Sequence, residues 1–281
     1  MTLPVSEVEL GRRHYRQTRR RRSLLVSLGS TLALAGAIWL ALVLSPGWAD
    51  VKGSFFDLEV GRDALPGILR GLWLNVRVLL VSALLVGLCG SLLAIARTVR
   101  SPALAPVRFL AAAYTDIFRG MPLLIVLYLV GFGIPGLGII GSVPSYVYGT
   151  VALVLTYSAY VAEVLRAGIE AVHPSQRQAA RSLGLSYNQT LRVVVLPQAV
   201  RKVTSALMND FVSMQKDVGL ISVLGAVDAV RAAQIEVAQT FNFTPYVVAG
   251  LLFVLLSWPT IRLTDWFAAR ARRREQIGAL L

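Results

Sequence analysis

Apolar residues run along this chain in long unbroken stretches, unlike the alternation of a half-buried strand or the narrow stripe of a soluble helix. The first, Leu24–Leu44, would rise about 31 Å as a helix, which matches the hydrocarbon core of a bilayer. Further stretches follow at Leu72–Ala96, Pro106–Phe132, Tyr146–Val172, Pro197–Gly225 and Tyr246–Phe267. The stretch Pro197–Gly225 is apolar only in patches and carries Arg201, Lys202, Asn209, Asp210, Lys216 and Asp217, so it cannot face lipid all round. The pattern predicts an all-α polytopic membrane protein with about six transmembrane helices.

Composition agrees. Of 281 residues, 56% are hydrophobic and 15% charged, with a mean hydropathy of +0.64; soluble domains carry about 25% charged residues. In a soluble protein the net charge of +13 and pI of 10.7 would suggest nucleic acid. Here the arginines flank the apolar runs, so membrane lipid is the expected neighbour and no nucleic acid is expected. Arg12, Arg13, Arg16 and Arg19–Arg22 precede the first run, and the positive-inside rule places them in the cytoplasm. Six crossings then bring Arg97 and Arg100, Arg166, Arg177, Arg181 and Arg192, and Arg270 with Arg272–Arg274 to the same side, with both termini. Asp50–Asp63, richer in acids than bases, and the uncharged Gly- and Pro-rich Gly133–Pro144 are expected outside. Gly47-Trp48-Ala49 resembles a signal-peptidase site, but Leu24–Leu44 exceeds the usual signal core of about 7–15 residues, so the helix is expected to be retained. The expected organisation is a basic cytoplasmic segment 1–22, an extra helix and extracellular loop 23–66, a transmembrane domain 67–269 and a basic tail 270–281.

Several chemistries are excluded by ligand count. Cys89 stands alone in an apolar stretch and reads as a packing residue, while His14 and His173 lie far apart with no metal-site spacing; no metal is expected. The chain has no G-x-x-x-x-G-K-[ST], and none of its three lysines follows a glycine, so it has no phosphate loop for a nucleotide. Ala83, Gly87 and Ser91 form a small-residue stripe expected to let another helix approach.

The longest interior loop, His173–Arg192, carries the most local information. Ser175–Leu183 reads as a short helix closed by Gly184, and Ser186-Tyr187-Asn188-Gln189 as a capping box opening a second. Ala180–Ser186 alone would also suit a helix-turn-helix DNA reader or a plain connector. A membrane span on one side and Pro197-Gln198 on the other instead hold the hairpin at the bilayer surface, as a docking element. Within the spans, Glu163, Asn209 and Asp210 are polar groups that line a watery path or pair with one another. Glu163 can alternatively pair with Arg166 at i, i+3 or with Arg119, and Lys216 with Asp217. Tyr114, Phe118, Tyr157 and Tyr160 read as packing or interface aromatics.

At these motifs the chain resembles the permeases of bacterial polar amino-acid ABC importers, the group that includes histidine, glutamine, arginine and opine systems, over about Gly71–Phe267. The matching residues are Gln178-Ala179-Ala180, Gly184 and Val194–Ala199 of the family's EAA loop, with Phe118–Leu123, Ala159–Ile169 and Lys216-Asp217 followed by Leu220. The resemblance implies the ABC importer permease fold with a cytoplasmic coupling hairpin, a multi-pass subunit of a bacterial plasma membrane and no enzymatic activity. It implies a second permease copy or paralogue, ATPase subunits that hold the ATP, and an extracellular or periplasmic amino-acid-binding protein. Gln178, Ala179, Ala180, Arg181, Leu183 and Gly184 would couple to the ATPase. Glu163, Tyr160, Asn209, Asp210 and Ser213 would face the substrate path. Gln178 stands where the family has glutamate, which removes the charge of an ion pair to the ATPase; Val218-Gly219 stand where it has Thr-Ser, which bears on substrate identity. An ion-coupled secondary transporter using Glu163 and Asp210, or a non-transporting scaffold with lipid-binding basic tails, are the alternatives; neither accounts for the hairpin and its Leu-Pro-Gln exit.

Overall fold

The computed structural model describes the backbone of residues 7–98, 101–138 and 143–278, and every element among them is helical. Arg100, part of Gly133–Pro144 and the ends of both basic segments lie outside the described residues, as do the side chains of Arg12, Arg13, Arg16 and Arg272–Arg274. The chain divides into two units, Met1–Ser54 and Phe55–Leu281.

In the first unit, α1 (Glu7–Val43) includes a 26-residue candidate membrane span, Thr18–Val43, whose apolar stretch is nowhere buried within the protein. Leu25 and Leu32 are each 70% exposed, as lipid-facing residues must be. The chain turns at Ser45, whose hydroxyl donates to the Leu42 carbonyl (2.7 Å), and enters α2 (Trp48–Phe55), where Trp48 meets Trp39 edge-on at 6.3 Å.

The second unit opens with α3 (Leu58–Thr98), 41 residues and about 61 Å long, roughly twice the hydrocarbon depth. The segment expected as an outer loop, Asp50–Asp63, is therefore largely helical: α2 covers its first part and the first turns of α3 its last. The predicted span Pro106–Phe132 is broken. α4 (Ala105–Gly120) stops where Met121 turns extended before Pro122, and α5 (Leu123–Tyr128) resumes at 108° to it, continuing through a π turn, Leu129–Gly133, into Ile134–Gly136. Residues before proline are driven out of the helical region, which makes Met121-Pro122 the break point.

α6 (Ser145–Glu170) is a straight span packed along α3. After the hairpin, which contains α7 (Pro174–Ser182), α8 (Leu196–Asp217) tightens into a 3-10 segment, Val218–Leu224, closed by Gly225 at φ +81°. A helix absent from the sequence reading, α9 (Ala229–Thr240), follows at 51° to the helical run Tyr187–Leu224, capped by Asp228 Oδ1, which accepts from the Arg231 amide (2.8 Å). α10 (Thr244–Gly278) ends the described chain. Among the described residues, four helices are long and apolar enough to cross a membrane, and the two bent pairs bring the count to six if each is one span.

The core lies where α3, α6 and α8 meet, around Leu79, Val86, Leu153, Tyr157, Met214 and Ile221. The face of α3 that packs closely is not Ala83, Gly87 and Ser91 but the one beside it: Ser82, Val86, Gly90 and Ala94 are buried, and a Cβ at Gly90 would come within 2.7 Å of Val161. Beside the 3-10 segment Asn75, fully buried, donates to the Val218 carbonyl (3.2 Å) and to Asp228 Oδ2 (2.9 Å), while its own oxygen accepts from the Ala229 amide (3.0 Å). One side chain thereby satisfies the backbone freed where the span breaks.

Candidate functional site

The hairpin is built as its sequence demands. α7 ends in a Schellman motif: the Leu185 amide donates to the Ala180 carbonyl (3.2 Å) and the Gly184 amide to that of Arg181 (3.0 Å), with Gly184 at φ +83°. Both capping-box bonds are present, the Gln189 amide donating to Ser186 Oγ (3.3 Å) and the Ser186 amide to Gln189 Oε1 (2.8 Å). A π turn, Thr190–Val195, then leads into α8.

The base of this hairpin is fastened and its head is open. Ile169, Val172, Val195 and Ala199 form a small apolar core joining the end of α6 to the start of α8. Arg177 Nη2 donates to the Ile169 carbonyl (2.5 Å) and Lys202 Nζ to that of Ala171 (2.6 Å), placing two cations on the C-terminal carbonyls of α6. Of the predicted coupling residues, Ala180 is buried against the base, while Gln178, Ala179, Arg181, Leu183 and Gly184 are exposed. Leu183, at 84% exposure, stands as an apolar knob on a polar hairpin.

The predicted path residues separate into two places. Glu163 belongs to an ion cluster: its carboxylate accepts from Arg97 Nη1 (2.6 Å) on α3 and from Arg166 Nη2 (2.5 Å) and Nε (3.0 Å), with Arg119 Nη1 at 3.8 Å. Arg166 also reaches Glu170 (2.5 Å). Pairing with Arg166 was legible from spacing, with Arg119 as the alternative partner; Arg97, separated by 66 residues, was not. Tyr160 Oη lies 3.4 Å from the Arg119 carbonyl, and its ring 6.0 Å from that of Tyr157.

Asp210 faces a cleft of about 340 Å³ walled by Ala83, Gly87, Ser91, Tyr157 and Val161 among others, so within this chain the small-residue stripe lines an opening. Asp210 Oδ2 is buried, and among the described residues it has no hydrogen-bond partner. Asn209 is exposed and Ser213 half-buried one turn on; neither lines the cleft. Asp217 accepts from Tyr157 Oη (2.7 Å), and among the described residues no ion pair joins it to Lys216. Tyr157 is thus a packing aromatic with a specific polar anchor at the cleft wall.

A helical membrane unit with broken spans and a tightly capped interior hairpin bolted to two of them is the architecture of an importer's membrane-spanning subunit. The chain belongs to the family of binding-protein-dependent transport system inner membrane components, whose model it matches over residues 88–273. It is 34% identical over 202 residues to the arginine transport system permease protein ArtQ of Bacillus subtilis (strain 168), covering 71% of this chain and 90% of that protein. It is 37% identical over 191 residues to the putative glutamine transport system permease protein GlnP of Rickettsia conorii (strain ATCC VR-613 / Malish 7), covering 67% and 85%. Among solved structures, an amino acid ABC transporter with histidines superposes with a TM-score of 0.70 at 32% identity, over 76% of this chain and 98% of that one. The MetNI methionine ABC transporter, at 18% identity and a TM-score of 0.61, shares the fold.

Proposed function

We propose that this chain is the permease subunit of an ATP-driven importer of polar amino acids in a bacterial inner membrane, crossing it several times. It pairs with a second copy or a paralogue, receives substrate from an extracellular binding protein, and relies on separate ATPase subunits that hold and hydrolyse the ATP. The hairpin carries this reading: its fastened base and exposed head suit an element that a partner pushes on. Gln178, Ala179, Arg181, Leu183 and Gly184 offer the contact surface, with Ala180 anchoring it from beneath. The amino-acid class is supported by the names of the relatives and by the acids within the spans.

Along the path, Asp210 is assigned the contact with a cationic or zwitterionic substrate, because its side chain lines a cleft and one of its carboxylate oxygens is buried with no protein group to satisfy it. Asn209 and Ser213 extend the polar surface of the same helix, and Tyr160 sits where α6 meets the end of α4. Glu163, engaged by arginines of two helices, braces the spans that frame the path. Reconstitution of the chain with its ATPase and binding protein tests the whole: ATP-dependent uptake of one or more polar amino acids is expected. Uptake that follows an ion gradient without ATP would replace this reading with a secondary transporter.

A further inference from the structure

α1 lies before the start of the family match at residue 88, and nothing in the transport reading requires its arginines to be arranged in any particular way. At about 100° per residue, Arg19–Arg22 spread around the helix. Arg19 and Arg22 fall on one face, which also carries Tyr15, Ser23, Ser27 and Ser30, and these side chains frame a single open groove of about 770 Å³. Arg20 and Arg21 point elsewhere. Ser30 Oγ donates back to the Ser27 carbonyl (3.0 Å), so below the guanidinium groups the groove floor is small and satisfied. Among the described residues, no ion pair engages Arg19, Arg20, Arg21 or Arg22.

Depth fixes what meets these groups. The hydrocarbon core takes about 20 helical residues, and the span is bounded at its outer end by Val43 and the Trp39–Trp48 contact. Counted back from there, the core ends near Leu24, which puts Arg22 and Arg19 within about one to two turns beyond it, at the level of lipid phosphates. Two unpaired guanidinium groups, a phenol and a serine hydroxyl at that depth, above a groove that admits an acyl chain, match one ligand chemistry. We propose that this face of α1 is a binding site for an anionic phospholipid of the cytoplasmic leaflet, its phosphate held by Arg19 and Arg22 with Tyr15 and Ser23 beside it. A positive-inside signal alone needs only a surplus of arginine and is indifferent to the face it occupies.

The test is native mass spectrometry of the full-length chain in detergent, titrated with phosphatidylglycerol or phosphatidylcholine, for wild type, R19Q/R22Q and R20Q/R21Q. The two doubles remove the same charge. Each basic group at an anionic surface contributes about fivefold, so R19Q/R22Q is expected to lose about tenfold or more in phosphatidylglycerol affinity. R20Q/R21Q should lose far less. Equal losses in the two doubles would show diffuse charge and overturn the site. Equal retention of the two lipids would mark the face as one for helix packing, and equally tight binding of soluble glycerol phosphate would make it a free-anion site; either result also overturns the proposal. Should R19Q/R22Q fail to insert, R19K/R22K keeps charge and orientation but loses the planar two-pronged donor. Wild-type affinity in that variant would count against the proposal, and a several-fold loss would support it.

Discussion

Replacing Glu163 with Gln and, separately, Asp210 with Asn separates a brace from a substrate contact, because the two carboxylates sit in opposite circumstances. Glu163 is 20% exposed and accepts three bonds from Arg97 and Arg166, so neutralising it leaves the Arg97 guanidinium, 14% exposed, without its counter-charge and Arg166, 26% exposed, with Glu170 alone. A charge-assisted bond contributes about 1.5–3 kcal/mol, and bonds sharing one carboxylate do not add. A loss of about 3 kcal/mol is expected for E163Q, at the lower end for breaking a buried pair. Among the described residues no ion pair engages Asp210, and Asn keeps its shape, so D210N should fold and assemble as wild type. A cationic amino acid deprived of that carboxylate should bind about tenfold or more weakly, while a neutral one is little affected. Thermal unfolding of the purified complex and uptake of arginine and glutamine into proteoliposomes read both effects. E163Q should melt several degrees lower and lose both substrates in proportion to assembled protein; D210N should melt normally and change the arginine-to-glutamine ratio. An E163Q protein that melts normally and loses only arginine would move the substrate contact to Glu163, and an unchanged ratio in D210N would remove Asp210 from the path.

Leucine at Gly184 would occupy the left-handed region at a cost of about 1–2 kcal/mol; G184L should insert normally but hydrolyse ATP without matching uptake, and normal uptake would take the hairpin out of the mechanism. At Gly71 a Cβ would overlap the backbone of Asp228 and Ala229, so G71A should loosen the Asn75 bonds and lower stability by about 1–3 kcal/mol, the scale of an overpacked core; an unshifted melting curve would show that the segment yields. A cysteine at Ser186 should react with an impermeant thiol probe only from the cytoplasmic side, and labelling from outside in intact cells would overturn the topology and the docking role together.

The hairpin was legible because its determinants are local: a glycine where φ must be positive, and a serine three residues before a glutamine. The spans were legible because lipid demands uninterrupted apolar length, which hydropathy reports directly. Hydropathy is blind to a change of direction within an apolar run, so the 108° turn at Met121-Pro122 passed as one span although the proline was in view. α9 was missed for the opposite reason. Its Ala-rich face packs on α3 and α10 while Arg231, Gln234 and Glu236 dilute its average hydropathy. The buried stripe of α3 could not be told from its neighbour, since Gly87 and Gly90 are both small and only the partner helix decides which is covered. Asn75 gave no signal at all: a lone amide in an apolar run acquires its meaning from Val218, Asp228 and Ala229, more than 140 residues away.

These contacts fix how a push on the hairpin would travel. At the hairpin end, the apolar core of Ile169, Val172, Val195 and Ala199 and the Arg177 and Lys202 bonds join α6 to α8. Toward the other end of α8, Tyr157 holds Asp217, and Asn75 of α3 holds the Val218 carbonyl. A pair of helices tied at both ends, with close-packed side chains between, moves as one body more readily than it shears. Two further ties join that body to α3: the Glu163 carboxylate, which Arg97 of α3 approaches nearer the hairpin, and the Asn75 bonds at the opposite end. Between them lies the Asp210 cleft, where α3 contributes Ala83, Val86, Gly87 and Ser91 and no hydrogen bond crosses to Asp210 Oδ2. Rocking about the Asn75 tie would require the Arg97–Glu163 pair to yield and would widen the cleft toward the hairpin; rocking about the Arg97–Glu163 pair would require the Asn75 tie to yield and would widen it toward the opposite end. The segment with the weakest cross-links is thus the one that holds the unpaired carboxylate, which is where an alternating-access path needs its substrate contact.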